Sequence, residues 1–121
     1  MIARLKKRAQ FLALRQSPAV GRPGFLLVRG QCPDRQISLV NGPRVGFTVT
    51  KKIGNAVRRN RLRRRLKAAV EHQAPLLSGD PADYIFIARS RGLSQSFEGL
   101  CEDVGKALTR LQQNRHKTEE N

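Results

Sequence analysis

The sequence predicts an α+β fold, a two-layer sandwich of order α-β-β-β-α-β-α, and three observations predict it. Arg44–Thr50 alternates apolar and polar residues with a period of two. A long stretch at helical spacing follows it. Then Tyr84-Ile85-Phe86-Ile87-Ala88 is apolar without interruption, the pattern of a strand buried on both faces. That β-α-β succession implies some parallel pairing. At 121 residues the chain has room for one domain, read as residues 1–113, with 114–121 a polar, frayed C-terminal tail.

Taken in order, residues 4–16 read as a helix. Leu5, Ala9 and Leu12 form its inward stripe, and Arg4, Arg8, Phe11 and Arg15 share a second face about 100° away. Ser17 to Gly24 carries turn signals and reads as a loop. Phe25–Arg29 is a strand, and Gln36–Val40 a weaker one before the Asn41-Gly42-Pro43 turn. In Arg44–Thr50, Val45, Phe47 and Val49 face one side, and Gly46, Thr48 and Thr50 the other. Asn55 is a favoured N-cap, so a helix runs from there to about Gln73, ahead of Pro75. Residues 76–82 are a loop. The last helix, near 95–112, has a stripe of Phe97, Leu100, Cys101, Val104, Leu108 and Leu111. Gly99 and Gly105 weaken it by about 1 kcal/mol each against Ala.

The charge is directed. Residues 1–70 hold 18 Lys or Arg and one acid, Asp34, for +17, whereas residues 71–121 carry −2 of the total +15. A field confined to one half of a chain concentrates polyanions. Nine of the seventeen residues from Lys51 to Lys67 are basic and none is acidic. A solvated helix face ordinarily mixes signs. Here Arg59/Arg63, Arg61/Arg64, Arg61/Arg65, Arg63/Lys67 and Arg64/Lys67 are like-charged pairs at helical spacing, each costing about 0.2–0.5 kcal/mol. A polyanion would relieve that repulsion. The helix holds six Arg to one Lys, and the planar guanidinium suits both bidentate phosphate contacts and base stacking. Its core stripe of Leu62, Leu66, Ala69 and Val70 begins only at Leu62, so the first turn and a half points its charges elsewhere.

Other classes fit poorly. Cys32 and Cys101, with His72 and His116, give no zinc-ligand spacing, and both thiols read as ordinary reduced residues. No metal site of the protein's own is expected. The local acid pairs are Asp80/Asp83, at a turn and strand start, and Glu102/Asp103, on the wet face of the last helix. Neither lies in the basic half, so no catalytic residue is assigned. No apolar run reaches membrane-span length, and the short run Phe11–Leu14 is no signal peptide. A cytoplasmic protein with neither a membrane nor a small-molecule substrate as partner is the expectation. A structural RNA-binding protein would carry a similar basic patch.

The run Lys51-Lys52-Ile53-Gly54-Asn55-Ala56-Val57-Arg58-Arg59-Asn60-Arg61-Leu62-Arg63-Arg64-Arg65-Leu66 closely resembles the signature of the bacterial ribonuclease P protein component, centred on Arg59-Asn60-Arg61. The coarser resemblance extends from Leu5 to about Leu111. It implies an accessory subunit of a tRNA-processing endonuclease, in which a catalytic RNA removes the 5′ leader of precursor tRNA. It also implies Mg²⁺ held mainly by the RNA, and a left-handed β-α-β crossover where general rules give a right-handed one. By the same resemblance, Lys52, Arg59, Asn60, Arg61, Arg63, Arg64 and Lys67 meet the catalytic RNA or nearby substrate. Lys51, Asn55 and Arg58 complete the candidate set on the basic helix. Phe11, Thr48 and Thr50 match positions lining a leader-binding cleft. Arg15 and Val28 stand where the family has a second helix aromatic and a strand tyrosine, which shifts leader binding from stacking toward charge. Packing of Phe11 into the core is the alternative reading of that residue.

Overall fold

In a computed structural model, the backbone is described for residues 2–37 and 41–120, and side chains for these residues except 36, 37 and 114–120. Five strands form one sheet: β1 (Ala3–Arg4), β2 (Ala19–Arg22), β3 (Phe25–Gly30), β4 (Arg44–Thr48) and β5 (Asp83–Ala88). Their order is β1-β4-β5-β3-β2. β4 pairs parallel with β5, as the β-α-β reading requires, and β1 adds a second parallel pair at the edge. The helices are α1 (Arg8–Ala13), α2 (Ala56–His72), the single turn α3 (Ala74–Leu77) and α4 (Phe97–Glu120).

The pleat divides the core. Val45, Tyr84, Phe86, Phe25 and Leu27 face α2 and α4, where Leu62, Leu66, Ala69, Val70, Leu100, Val104 and Leu108 complete the main cluster. Phe86 sits edge-on to Phe25 and stacks with Phe47 at 5.7 Å. On the opposite face, α1 covers one corner. There Leu5, Leu14, Val28, Cys32 and Ile85 form a second, smaller cluster, flanked by half-buried Phe11, Leu26 and Ile87.

Several expectations are corrected. Residues 4–16 do not form one helix: Arg4 belongs to β1, and α1 is only six residues long. Its buried residue is Gln10, with Leu14 buried just after it, while Ala9 is exposed and Leu12 is 46% exposed. Gln10 wins the inward position because its amide oxygen accepts from the Lys6 and Lys7 amides and its amide nitrogen donates to Asp34. The stretch read as a loop forms β2, half of a hairpin closed by Pro23-Gly24. The weak strand at 36–40 is absent at its start, since Pro33–Ile37 is a 3₁₀ turn; residues 38–40 lie outside the described ones. β4 ends at Thr48, and Lys51–Ile53 forms another 3₁₀ turn. Part of the 76–82 loop is taken by α3. α4 starts after Ser96, whose hydroxyl accepts from the Gly99 amide, and leaves Phe97 41% exposed, off the stripe. It runs on to Glu120, past the expected tail boundary, because Gln, Arg, Lys and Glu all favour helix without needing a core to face.

Four carboxylates are used to fasten the scaffold. Asp83, fully buried, accepts from Arg35 (2.5 Å), from Arg44 (2.8 Å) and from the Cys32 amide (2.8 Å). Arg44 also reaches Asp34 at 2.9 Å. Arg29 pairs with Asp80 at 2.7 Å beside Tyr84, and Arg22 with Asp103 at 2.7 Å. Asp103 is therefore not on a wet face, as the sequence suggested: it is 7% exposed and holds α4 against β2. Cys32 and Cys101 are free and buried on opposite faces of the sheet. Burial, helped by Asp83, pushes the Cys32 thiol up to about 12, which keeps it protonated and unreactive.

Candidate RNA interface

α2 begins as the sequence predicts. The Asn55 side chain accepts from the Arg58 amide at 3.0 Å, which satisfies one of the free donors of the first turn. Gly54 before it has φ of 137°, a value that favours glycine, and the Arg58 stem lies against it: a Cβ there would fall 2.8 Å from Arg58 Cδ. Arg58 Nε in turn donates to the Ile53 carbonyl. Lys51 and Lys52 are exposed on the preceding 3₁₀ turn.

Leu62, Leu66, Ala69 and Val70 are all buried, so the register of the helix is the expected one. That register exposes Arg58, Asn60, Arg61 and Arg64, and leaves Arg59, Arg63 and Lys67 half-buried. Asn60 accepts from Arg63 at 2.9 Å, fixing that guanidinium. Arg59 Nε is buried with no hydrogen-bond partner among the described residues. Arg65 is different. It donates to the Gly92 carbonyl at 3.0 Å and to that of Gln95, tying α2 to the Ser90–Leu93 turn. Among the described residues, no α2 arginine is paired with a carboxylate; the acids described above neutralise Arg22, Arg29, Arg35 and Arg44 instead. The six arginines of α2 are thus left with no neutralising carboxylate among the described residues.

A depression beside α1 is lined by Arg4, Lys6, Arg8, Phe11, Phe47, Thr48 and Arg63, among others. It brings the predicted cleft residues Phe11 and Thr48 next to Arg63 of the basic helix. The Phe11 ring lies over Gly46, where a Cβ would approach it to 2.8 Å; only glycine at this point of β4 lets the ring down onto the sheet. Thr50, just after β4, and Arg15, just after α1, are both exposed. Val28 is placed on the same sheet face but is 6% exposed, packed in the smaller cluster. What that face offers to solvent is half-buried Leu26 and Ile87, which sequence reasoning missed. Both lie in uninterrupted apolar runs, so the sequence carried no signal that set them apart from buried Leu27 and Phe86. A further basic pocket joins Arg58 and Arg61 to Ser90, Arg91 and Ser94.

His72 is exposed at the end of α2, and the His116 side chain lies outside those described. Among the described residues, no three of His, Cys, Asp and Glu come together in a way that could hold a metal ion, and no helix is long and apolar enough to cross a membrane.

The family model described as Ribonuclease P matches residues 2–112. The "Ribonuclease P protein component" of Brucella suis is 43% identical over 111 residues, covering 89% of this chain and 79% of its own. That of Caulobacter vibrioides is 41% identical over 108 residues, covering 89% and 70%. Among solved structures, the RNase P protein of Staphylococcus aureus is similar with a TM-score of 0.70 at 24% identity, over 92% of this chain and 96% of that one. The Thermotoga maritima RNase P protein gives 0.71 at 21% identity, over 88% and 96%.

Proposed function

This chain belongs to the ribonuclease P protein family, and from that premise we propose that it is the RNA-binding, non-catalytic subunit of a tRNA-processing endoribonuclease. A catalytic RNA cuts the 5′ leader from precursor tRNA; the protein binds that RNA through α2 and the leader through the cleft beside α1. The observation that carries this reading is the unneutralised α2 face, continuous through Arg63 with a depression that pairs Phe11 with cations. Polyanion binding relieves like-charge repulsion along the helix, and stacking on Phe11 and the arginine planes accepts single-stranded bases.

Mg²⁺ is supplied by the RNA partner in this reading. The buried carboxylates that could otherwise hold it are already engaged by arginines, and a guanidinium at 2.5–2.8 Å repels a second cation. The protein's own contribution is to bind, orient and screen phosphates. The cytoplasm, where precursor tRNA is made, is its proposed location.

Replacing Arg59 and Arg61 with Ala tests the interface. Association with the catalytic RNA should weaken by roughly tenfold or more, and the salt slope of binding should fall by about 1 for each phosphate no longer bound. The far-ultraviolet circular dichroism should stay that of the parent. Inorganic phosphate should raise the parent's melting temperature more than the variant's, because an anion bound to the native state stabilises it by mass action. Equal shifts in the two proteins would remove the anion site from this helix.

A further inference from the structure

Behind the cleft, between β1 and the second half of α2, lies a groove of about 420 Å³ that no pattern in the sequence foretells. Its walls are mostly apolar: Ile2, Val45, Phe47, Val70 and Ala74. Arg4 and Lys67 stand at it, with Glu71 the one acid among its lining residues. Arg4 and Phe47 also line the cleft, so the two depressions share a wall. The volume falls within the roughly 300–1,000 Å³ of small-ligand sites.

The charges select the occupant. Arg4 reaches this place because it is in β1 rather than α1, and its guanidinium lies 5.3 Å over the Phe47 ring. A guanidinium plane is itself a stacking surface for a nucleobase. Burial, with repulsion from Arg4, Arg63 and Lys6, draws the Lys67 ammonium below its ordinary pKa, against a smaller opposing effect of Glu71. Two cations, Arg4 from β1 and Lys67 from α2, therefore line the groove with one carboxylate, Glu71, beside them. An anion is the missing partner, and the apolar walls ask for a flat, partly apolar body attached to it.

We infer that this groove seats one RNA nucleotide, with its base against half-buried Ile2, Phe47 and Ala74 and its phosphate on Arg4 and Lys67. The inference rests on the RNA-binding reading above and carries it to a groove that shares its Arg4–Phe47 wall with the cleft and lies apart from the Arg59-Asn60-Arg61 face. The nucleotide comes either from the catalytic RNA or from the leader after it leaves the cleft. The two sources present the same chemistry.

Two variants of the full chain test it. Ala74→Leu fills the groove and keeps every charge; Arg4→Gln keeps the groove and removes the cation. Each is titrated onto the catalytic RNA, and each assembled holoenzyme onto precursor tRNA and onto leaderless tRNA. Both variants should weaken the same titration by fivefold or more. A loss with the catalytic RNA assigns the nucleotide to that RNA, and a loss confined to precursor tRNA assigns it to the leader. If either variant binds like the parent in all titrations, the inference is overturned. Arg59→Ala run alongside separates the two failures, since its loss of affinity would leave the RNA-binding reading standing. Should Ala74→Leu melt below the parent, Ala74→Met, whose side chain can bend, takes its place with the same expected losses.

Discussion

A holoenzyme carrying Phe11→Ala is expected to bind precursor tRNA roughly ten- to a hundredfold more weakly, while its affinity for leaderless tRNA barely changes. The magnitude is that of one stacked base, about 1–3 kcal/mol. The selectivity follows from where the ring sits: half-buried on Gly46, beside Thr48, Arg8 and Arg63, on a sheet face that α1 only partly covers. Arg15→Ala should show the same selectivity, with a salt slope lower by about 0.7, the value of one single-strand phosphate contact. Gly46→Ala offers a control that leaves the ring chemically intact. A methyl 2.8 Å from the ring must displace it, so precursor binding should fall and leaderless binding hold. If Phe11→Ala unfolds the chain, or weakens both tRNAs equally, the residue is core and the cleft assignment fails.

Asp83→Ala is expected to lower folding stability by about 3–5 kcal/mol, the usual effect of removing one partner from a buried ion pair. Asp83 is fully buried and accepts from Arg35, Arg44 and the Cys32 amide, so its loss leaves Arg35 without a carboxylate and Arg44 with Asp34 alone. The pH dependence has a definite sign. Burial raises the Asp83 pKa, but the hydrogen bonds from Arg44, Cys32 and Arg35 outweigh it and hold the carboxyl below its ordinary range. Stability from this group is complete above the unfolded value of about 3.9 and is lost as pH falls through the folded value. Urea titrations of parent and variant between pH 7 and pH 3 should therefore converge at the acid end. Parallel curves would place the stabilisation elsewhere.

Long, periodic elements were legible in the sequence, and short ones were not. α2 could be read from its N-cap to its stripe because Asn55, Leu62, Leu66 and Val70 are fixed by backbone capping and burial alone. β5 was legible because the five apolar residues Tyr84–Ala88 run without interruption through the middle of the sheet. β1 has two residues, too few for any period, and its existence depends on pairing with β4 across about forty positions. α1 misled because a polar residue faces inward: Gln10 is held by Asp34 and by local amides, a tertiary arrangement that a hydrophobic stripe cannot report. The site divides the same way. The basic helix announced itself through charge and a specific motif. The half-buried pair Leu26 and Ile87, and the meeting of Arg4 with Lys67, arise only when elements distant in sequence are set side by side. Val28 illustrates the limit most clearly: a position matched to the cleft by resemblance lies beneath its neighbours here.

The most direct test of the central claim is a precursor-tRNA cleavage assay with three arms: the protein alone in a preparation shown to be free of RNA, the catalytic RNA alone, and the two together, each across a Mg²⁺ series. The account predicts no cleavage by the protein at any Mg²⁺ concentration, cleavage by the RNA at high Mg²⁺, and cleavage by the pair at lower Mg²⁺, because basic side chains and added cations screen the same phosphate repulsion. Cleavage by the protein alone, or an unchanged Mg²⁺ requirement when it is added to the RNA, would contradict it.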